Sequence, residues 1–421
     1  MTSYQQVNEQ VTDNIEKNKF FSLLKDIPDK NIRVGIIQGQ IKRIIISILE
    51  TELLSPNLFF LPNLKILTLQ NSTIKKFPSE SLKLSSLEIF KCYNCNLSQI
   101  PLFIFGNFNL RYLKFSDNPI SKIPASISNL SNLEQLSFNE CNLKDLPPKM
   151  GQLKYLKILL VMHNKLTNFP DSLCFLEKLE TLYLSDNLIK ELPEKFSLLQ
   201  NLSALFADNN LLQYLPNSFE KLSKLTFLEL SNNDFEIFPE SIGKIQSLES
   251  ITFDGNNLKL LPDNIGHLEN LESLVLNNNK IQKLPNSFGN LIKLSDLSIR
   301  ENLLKSLPNT FGNLSNLGSL DLENNSIEDL PLSFGNLPRL TRLNLSNNPI
   351  LKIPEAINRL PAISLLNFAK TPIISIPEPL LHTRTLRNLL LPESQKKILE
   401  KNSIDVLEGL LENGCKIEWV S

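Results

Sequence analysis

Several residue types are scarce in this chain of 421 residues. Three histidines leave little material for imidazole-based metal or acid–base chemistry. Five cysteines, an odd number scattered through a long chain, do not make a secreted disulfide framework. Charge of one sign is missing as well. The 43 basic and 44 acidic residues leave a net charge of −1, so there is no bulk pull toward nucleic acid or an anionic membrane. No apolar run approaches the roughly 18 residues that cross a bilayer, and no membrane insertion is expected. The opening segment, MTSYQQVNEQVTDN, lacks the basic start and apolar stretch of a secretory signal. A soluble cytoplasmic protein is the expectation. What is abundant is proline, with 25 residues, and phenylalanine, with 24, in a composition that is 42% hydrophobic and able to form a core.

The prolines keep a fixed interval. They recur at 78, 101, 124, 147, 170, 193, 216, 239, 262, 285, 308, 331, 354 and 377, with a constant step of 23. Fourteen such units cover positions 64–385, and a period in the twenties marks a solenoid. The unit LESLVLNNNKIQKLPNSFGNLIK, from Leu271, shows the pattern. Apolar residues occupy positions 1, 4, 6, 11, 14, 18 and 21, asparagine sits at 9 and proline at 15. The LxxLxL segment alternates like a strand, with positions 1, 4 and 6 inward and 3, 5 and 7 outward. Asparagine at 9, from Asn118 to Asn348, falls where the chain must turn, and its amide can serve backbone groups of two stacked coils. The segment before each proline is extended. The PxxFGxL stretch is too short and too broken by glycine for a regular helix, so a 3₁₀ or irregular turn is expected there.

The repeated LxxLxLxxNxLxxLPxxFGxL resembles the leucine-rich repeat, and its 23-residue LPxxFG variety is similar to intracellular members. Among these are plant Ras-group repeat proteins, animal scaffolds that bind Ras-type GTPases, and bacterial proteins. The resemblance implies an α/β solenoid, a leucine-rich repeat horseshoe with a concave parallel β-sheet and an irregular or 3₁₀ convex side. It implies a binding surface but no particular ligand. Ser72, Cys95, Cys141 and Thr371 replace the asparagine, and the second unit has an irregular convex side, PLFIFGNFN.

The flanks read as caps, residues 1–63 before the array and 386–421 after it, because a solenoid's ends are hydrophobic and must be covered. Val7, Val11 and Ile15 have helical spacing, and Ile44, Ile46 and Ile48 suggest a degenerate first coil. After the array come a last strand, LRNLLL, a helix from about Ser394 to Glu412, and an apolar tail, KIEWV.

Motifs for chemistry are missing: there is no phosphate loop, GxGxxG, HExxH or GxSxG. The one suggestive pair is Cys92 and Cys95, but the register makes them a core position and an asparagine position, so a structural role is expected. No catalytic, cofactor or metal-binding residue is assigned, and a non-enzymatic scaffold is the expectation. Partner specificity must then lie on the outward strand positions. At position 5 three successive units place Leu160, Tyr183 and Phe206 toward solvent, flanked by Ile158, Met162 and Phe227. Acids share these units, among them Asp186, Asp208 and Glu229. From the sixth to the twelfth unit eleven outward acids face one base, Arg300, while Lys65, Lys91, Arg111 and Lys114 mark the first three. These features point to a protein partner, with a basic surface, bound by Ile158, Leu160, Met162, Tyr183, Asp186, Phe206, Asp208, Phe227 and Glu229. Nucleic acid is disfavoured, and a small Ras-type GTPase is the alternative that the resemblance suggests. A second apolar line, Leu188, Leu211, Tyr214, Ile237 and Leu260, falls at positions 10 and 13.

Overall fold

The computed structural model describes residues 3–78 and 84–421. The chain divides into two compact units, the first ending at Leu211 and the second beginning at Leu212. The convex turn expected after Pro78 falls on residues 79–83, outside those described.

The first unit opens with two helices, Ser3–Gln10 and Asn14–Leu23. The spacing of Val7, Val11 and Ile15 suggested one helix, and this is corrected. Asp13 accepts the Ile15 N–H at 2.7 Å and starts a second helix, which leaves Ile15 exposed while Val7 and Val11 are buried. An antiparallel hairpin follows, Ile32–Ile37 with Gln40–Ser47. The Gln40–Ser47 strand then pairs in parallel with Ile66–Gln70, Arg43 opposite Ile66, one period ahead. Residues 41–63 therefore form a coil of their own. Ile44 and Ile46 take its inward positions and are fully buried, but Ile48 is 74% exposed. Buried Glu16 ties the second helix to this coil by accepting the Ile41 N–H at 3.2 Å.

Parallel strands continue at the same interval through Ile89–Tyr93, Tyr112–Ser116, Gln135–Ser137, Ile158–Leu160, Thr181–Tyr183 and Ala204–Phe206. The second unit repeats the arrangement from Phe227–Glu229 through Leu365–Asn367 to Asn388–Pro392. A helix, Lys396–Glu412, then leads to a last strand, Lys416–Val420, beside Asn388–Pro392. This helix kinks at Ser403, whose Oγ accepts the Ile376 N–H at 2.8 Å.

Opposite the strands, most coils make one turn of 3₁₀ helix directly after the proline, such as Asn286–Asn290, Asn309–Asn313 and Leu332–Asn336. The irregular PLFIFGNFN keeps this turn, Leu102–Gly106, because buried Asn107 accepts the Leu84 N–H at 2.9 Å and donates to Phe103 O at 2.7 Å. The glycines there do more than break a helix. A Cβ on Gly312 would lie 2.0 Å from Ser333 O of the next coil, so glycine sets how closely the coils can stack. Phe288, Phe311 and Phe334 stack nearly parallel behind them, with centroids 6.0 and 5.8 Å apart.

The asparagines behave as the pattern requires. Asn279 accepts the Leu258 N–H of the preceding coil at 3.0 Å and donates to Phe253 O of that coil at 2.9 Å. It also donates to Leu276 O and Asn277 O in its own coil. The substitutes keep part of this: Thr371 Oγ1 donates to Phe368 O at 2.6 Å, and Ser72 Oγ donates to Gln70 O at 2.8 Å.

The residue before each ladder position has a role that the pattern did not disclose. Position 8 adopts a left-handed backbone in every coil, with φ between +47° and +61°. Asn71, Asn209, Asn278 and Gly255 suit this conformation; Glu140, His163, Glu301 and Lys370 carry its strain. Ile48 has the same φ one period before Asn71, which is why its side chain points to solvent.

Two stability outcomes are expected. Asn279→Leu leaves buried backbone groups without partners and should lower unfolding free energy by about 1–3 kcal/mol in urea titration. Glu140→Asn puts a better left-handed residue at an exposed site and should raise it by about 0.5–1 kcal/mol.

Candidate functional site

The outward strand positions carry the candidate residues, and the two units hold different shares of them. In the first unit Leu160 lies directly opposite Tyr183, and Tyr183 opposite Phe206, on three adjacent strands. Tyr183 and Phe206 stack with centroids 4.3 Å apart and ring planes 7° from parallel. The row was expected to stand open to solvent, and this is corrected. Ile158, Leu160, Met162, Tyr183 and Phe206 are all half-buried, because rings stacked along the sheet cover each other's faces and present their edges. In the second unit Phe227 and Glu229 lie opposite Ser250 and Thr252, and both are half-buried too.

The acids are likewise engaged. Asp186 Oδ2 lies 3.2 Å from His163 Nδ1, a partner that the spacing of the histidines did not reveal. Asp208 accepts hydrogen bonds from Ser185 Oγ at 2.5 Å and Asn209 Nδ2 at 2.8 Å. Glu229 Oε1 accepts the Ser231 N–H at 3.0 Å. Farther along, Asp254 accepts the Asn277 N–H at 2.8 Å and Asp321 accepts the Glu323 N–H at 3.0 Å. Burial pushes the carboxyls of Asp254 and Asp321 above the usual range. Arg300 lies within reach of three acids, 3.3 Å from Glu323, 3.8 Å from Asp321 and 3.9 Å from Glu301. The acidic strip thus serves its own sheet before any partner. At the basic start, Lys65 pairs with Glu88 at 2.5 Å, and Arg111 with Glu134 at 2.5 Å.

The second apolar line is the exposed one. Leu188 and Leu211 are exposed in the first unit, and Tyr214, Ile237 and Leu260 in the second, where Ile237 reaches 69%. A cleft of about 840 Å³ opens beside Tyr214, Ile237 and Phe238 and is rimmed by Asp234, Glu236 and Glu240.

Cys92 and Cys95 occupy the core and ladder positions, and all five cysteines are free and buried. Cys95 Sγ donates to Tyr93 O at 3.2 Å. Burial pushes the Cys92 thiol well up, Cys141 to about 11 and Cys174 to about 12. Among the described residues no group of three or more His, Cys, Asp or Glu side chains could hold a metal ion, and no helix is long and apolar enough to cross a membrane.

Leucine-rich repeat families match the chain in three places: a leucine-rich repeat region over residues 103–184, and leucine-rich repeats over 224–245 and, in two overlapping matches, 269–350. No curated protein matches the sequence significantly. Among solved structures, a leucine-rich repeat protein of Leptospira interrogans is similar at 26% identity over 97% of this chain and 99% of that one, with a TM-score of 0.76. A plant peptide hormone receptor in complex with RGF2 is similar at 26% identity over 86% of this chain and 57% of the receptor, with a TM-score of 0.63. An internalin of Listeria monocytogenes shares the fold at 20% identity over 87% of this chain and 98% of that one, with a TM-score of 0.59.

The raised thiols carry a pH dependence. They stay protonated in the fold, whereas in the unfolded chain they ionise from about 8.5 upward. Their contribution is complete below that pH and is lost as pH rises toward 11 and 12. Unfolding free energy should therefore fall between about pH 8.5 and pH 11 by more in the native chain than in a Cys141→Ala/Cys174→Ala variant. With the strand register, the ladder and the convex turns all repeating at one interval, leucine-rich repeats are what these families recognise in the chain, and its fold is the leucine-rich repeat solenoid.

Proposed function

We propose that this chain is a non-enzymatic protein-interaction scaffold that binds its partner on the outward face of its strands. The observation that carries this reading is the stacked pair Tyr183 and Phe206, half-exposed at the ends of adjacent strands beside Leu160. Aromatic side chains held rigid by stacking lose little entropy on binding and are favoured as interface anchors. The plant peptide hormone receptor that shares this fold is in complex with RGF2. Asp186 and Asp208 stand beside the pair, already oriented by His163 and Ser185, and would set the direction of approach of a basic partner surface.

A Ras-type GTPase enters through the resemblance of the repeat to the Ras-group type alone, so it is one candidate to be tried. Five buried free cysteines accord with a reducing compartment and so with a cytoplasmic setting.

The test compares the native chain with a Tyr183→Ala/Phe206→Ala variant. Partners captured from cytosol are identified by mass spectrometry, and each one, with a Ras-type GTPase in both nucleotide states alongside, is titrated calorimetrically. Affinity for the true partner should fall by about 2 kcal/mol or more, with the thermal midpoint nearly unchanged. Undiminished binding would remove the aromatic pair from the interface. A collapsed thermal midpoint would make the pair structural.

A further inference from the structure

The two ends of the array differ. At the N-terminal end two helices and an antiparallel hairpin cover the first coil, and Val7, Phe20, Leu23, Ile41 and Ile44 are buried. At the other end the strand Lys416–Val420 pairs with Asn388–Pro392 and, among the described residues, with no other strand. Ile417 and Trp419 lie opposite Leu389 and Leu391, which are fully buried. Their register is therefore inward, yet both are only half-buried, and among the described residues no further strand lies on their other side. The helix of the same coil adds exposed Ile398, Ile404 and Leu411. The edge has few of the usual protections: it contains no proline and no bulge, and only Lys416 and Glu418 put charge on it.

The backbone orientation is defined. The Lys416 N–H donates to Arg387 O at 2.7 Å, so residues 416 and 418 turn their N–H and C=O groups toward the neighbouring strand. Alternation then turns those of Ile417 and Trp419 outward, to the open edge.

We propose that this edge pairs antiparallel with the same strand of a second copy of the chain, about a two-fold axis centred on Ile417. A two-fold axis perpendicular to the sheet keeps each face on its own side, so opposed residues must share a face and the axis must pass at a residue. Centring on Glu418 opposes two carboxylates, and centring on Lys416 opposes two ammonium groups. Centring on Ile417 sets Lys416 against Glu418 of the second copy twice over. These two side chains already share one face of the strand, with Nζ and Oε1 2.6 Å apart. The same register opposes the outward N–H and C=O groups of the two Ile417 residues, which close a reciprocal pair of hydrogen bonds. It also brings the half-buried Ile417 and Trp419 side chains of both copies together over the open end of the core.

Sedimentation equilibrium of the full chain tests this, using Lys416→Glu, Glu418→Lys and the double exchange K416E/E418K. The native chain should show a monomer–dimer equilibrium. Each single reversal should weaken it at least about tenfold, since both ion pairs become repulsions. The double exchange should restore the native value. Both side chains are solvent-facing, so thermal midpoints should stay level across the set. A native chain that remains monomeric to about 100 μM, well above the range of specific interfaces, overturns the proposal. So does a dimer that tolerates either single reversal, or a double exchange that fails to recover.

Discussion

The structure depends on one constraint: the backbone that leaves each strand must find its hydrogen-bond partners in the coil beside it. A chain that turns sharply after every short strand buries N–H and C=O groups that no sheet ladder reaches. In most coils one asparagine amide meets this need, accepting from the preceding coil and donating to both that coil and its own. Because each amide spans two coils, it sets their alignment as well as satisfying them. Coil length then cannot drift, since a unit one residue longer or shorter would present its amide to the wrong carbonyl. The glycine on the opposite side adds a steric limit at the same spacing, where Gly289 and Gly312 stand against the carbonyls of the following coils.

With the framework so regular, the outward strand positions are free to vary, and the physics there is local. Side chains one period apart become cross-strand neighbours, and they settle one another's charges and ring faces. His163 answers Asp186, Lys65 answers Glu88, and Tyr183 stacks on Phe206. Arg300, the lone base in an acidic stretch, gathers three carboxylates around its guanidinium. The pairs on the solvated rim contribute little to stability. Their effect is to hold side chains in fixed rotamers, so that a partner meets a face whose conformational freedom is already reduced.

Much of this was legible in the sequence, for a reason that the ladder explains: any feature required in every coil is written many times over. The strand positions, Asn118 to Asn348 and the turn after each proline repeat often enough to be read directly, and the register they set assigns Cys92 and Cys95 their places. What occurs once was harder to read. The helix break at Asp13 rests on a single cap that outweighs the spacing of Val7, Val11 and Ile15. The exposure of Ile48 follows from a backbone angle that side-chain hydrophobicity does not report. Position 8 repeats, but its identity wanders among Asn, Asp, Glu, His, Gly and Lys, so the pattern concealed the conformation. At the candidate face the residue types were readable but their accessibility was not. Half-burial of Tyr183 and Phe206 depends on rings packing across strands, which alternation within one strand does not contain.

The ladder's span of one period also bears on how such a chain can change its length. Removing or inserting one whole coil returns every amide to a carbonyl of the same kind and every glycine to the same gap, so the molecule adjoining the change keeps its contacts. Any other length change leaves a run of amides facing the wrong groups from that point on. Genetic events that add or drop one full period of codons are therefore nearly silent for folding, while smaller slips are severe. An array held by this bond grows or shrinks in whole steps.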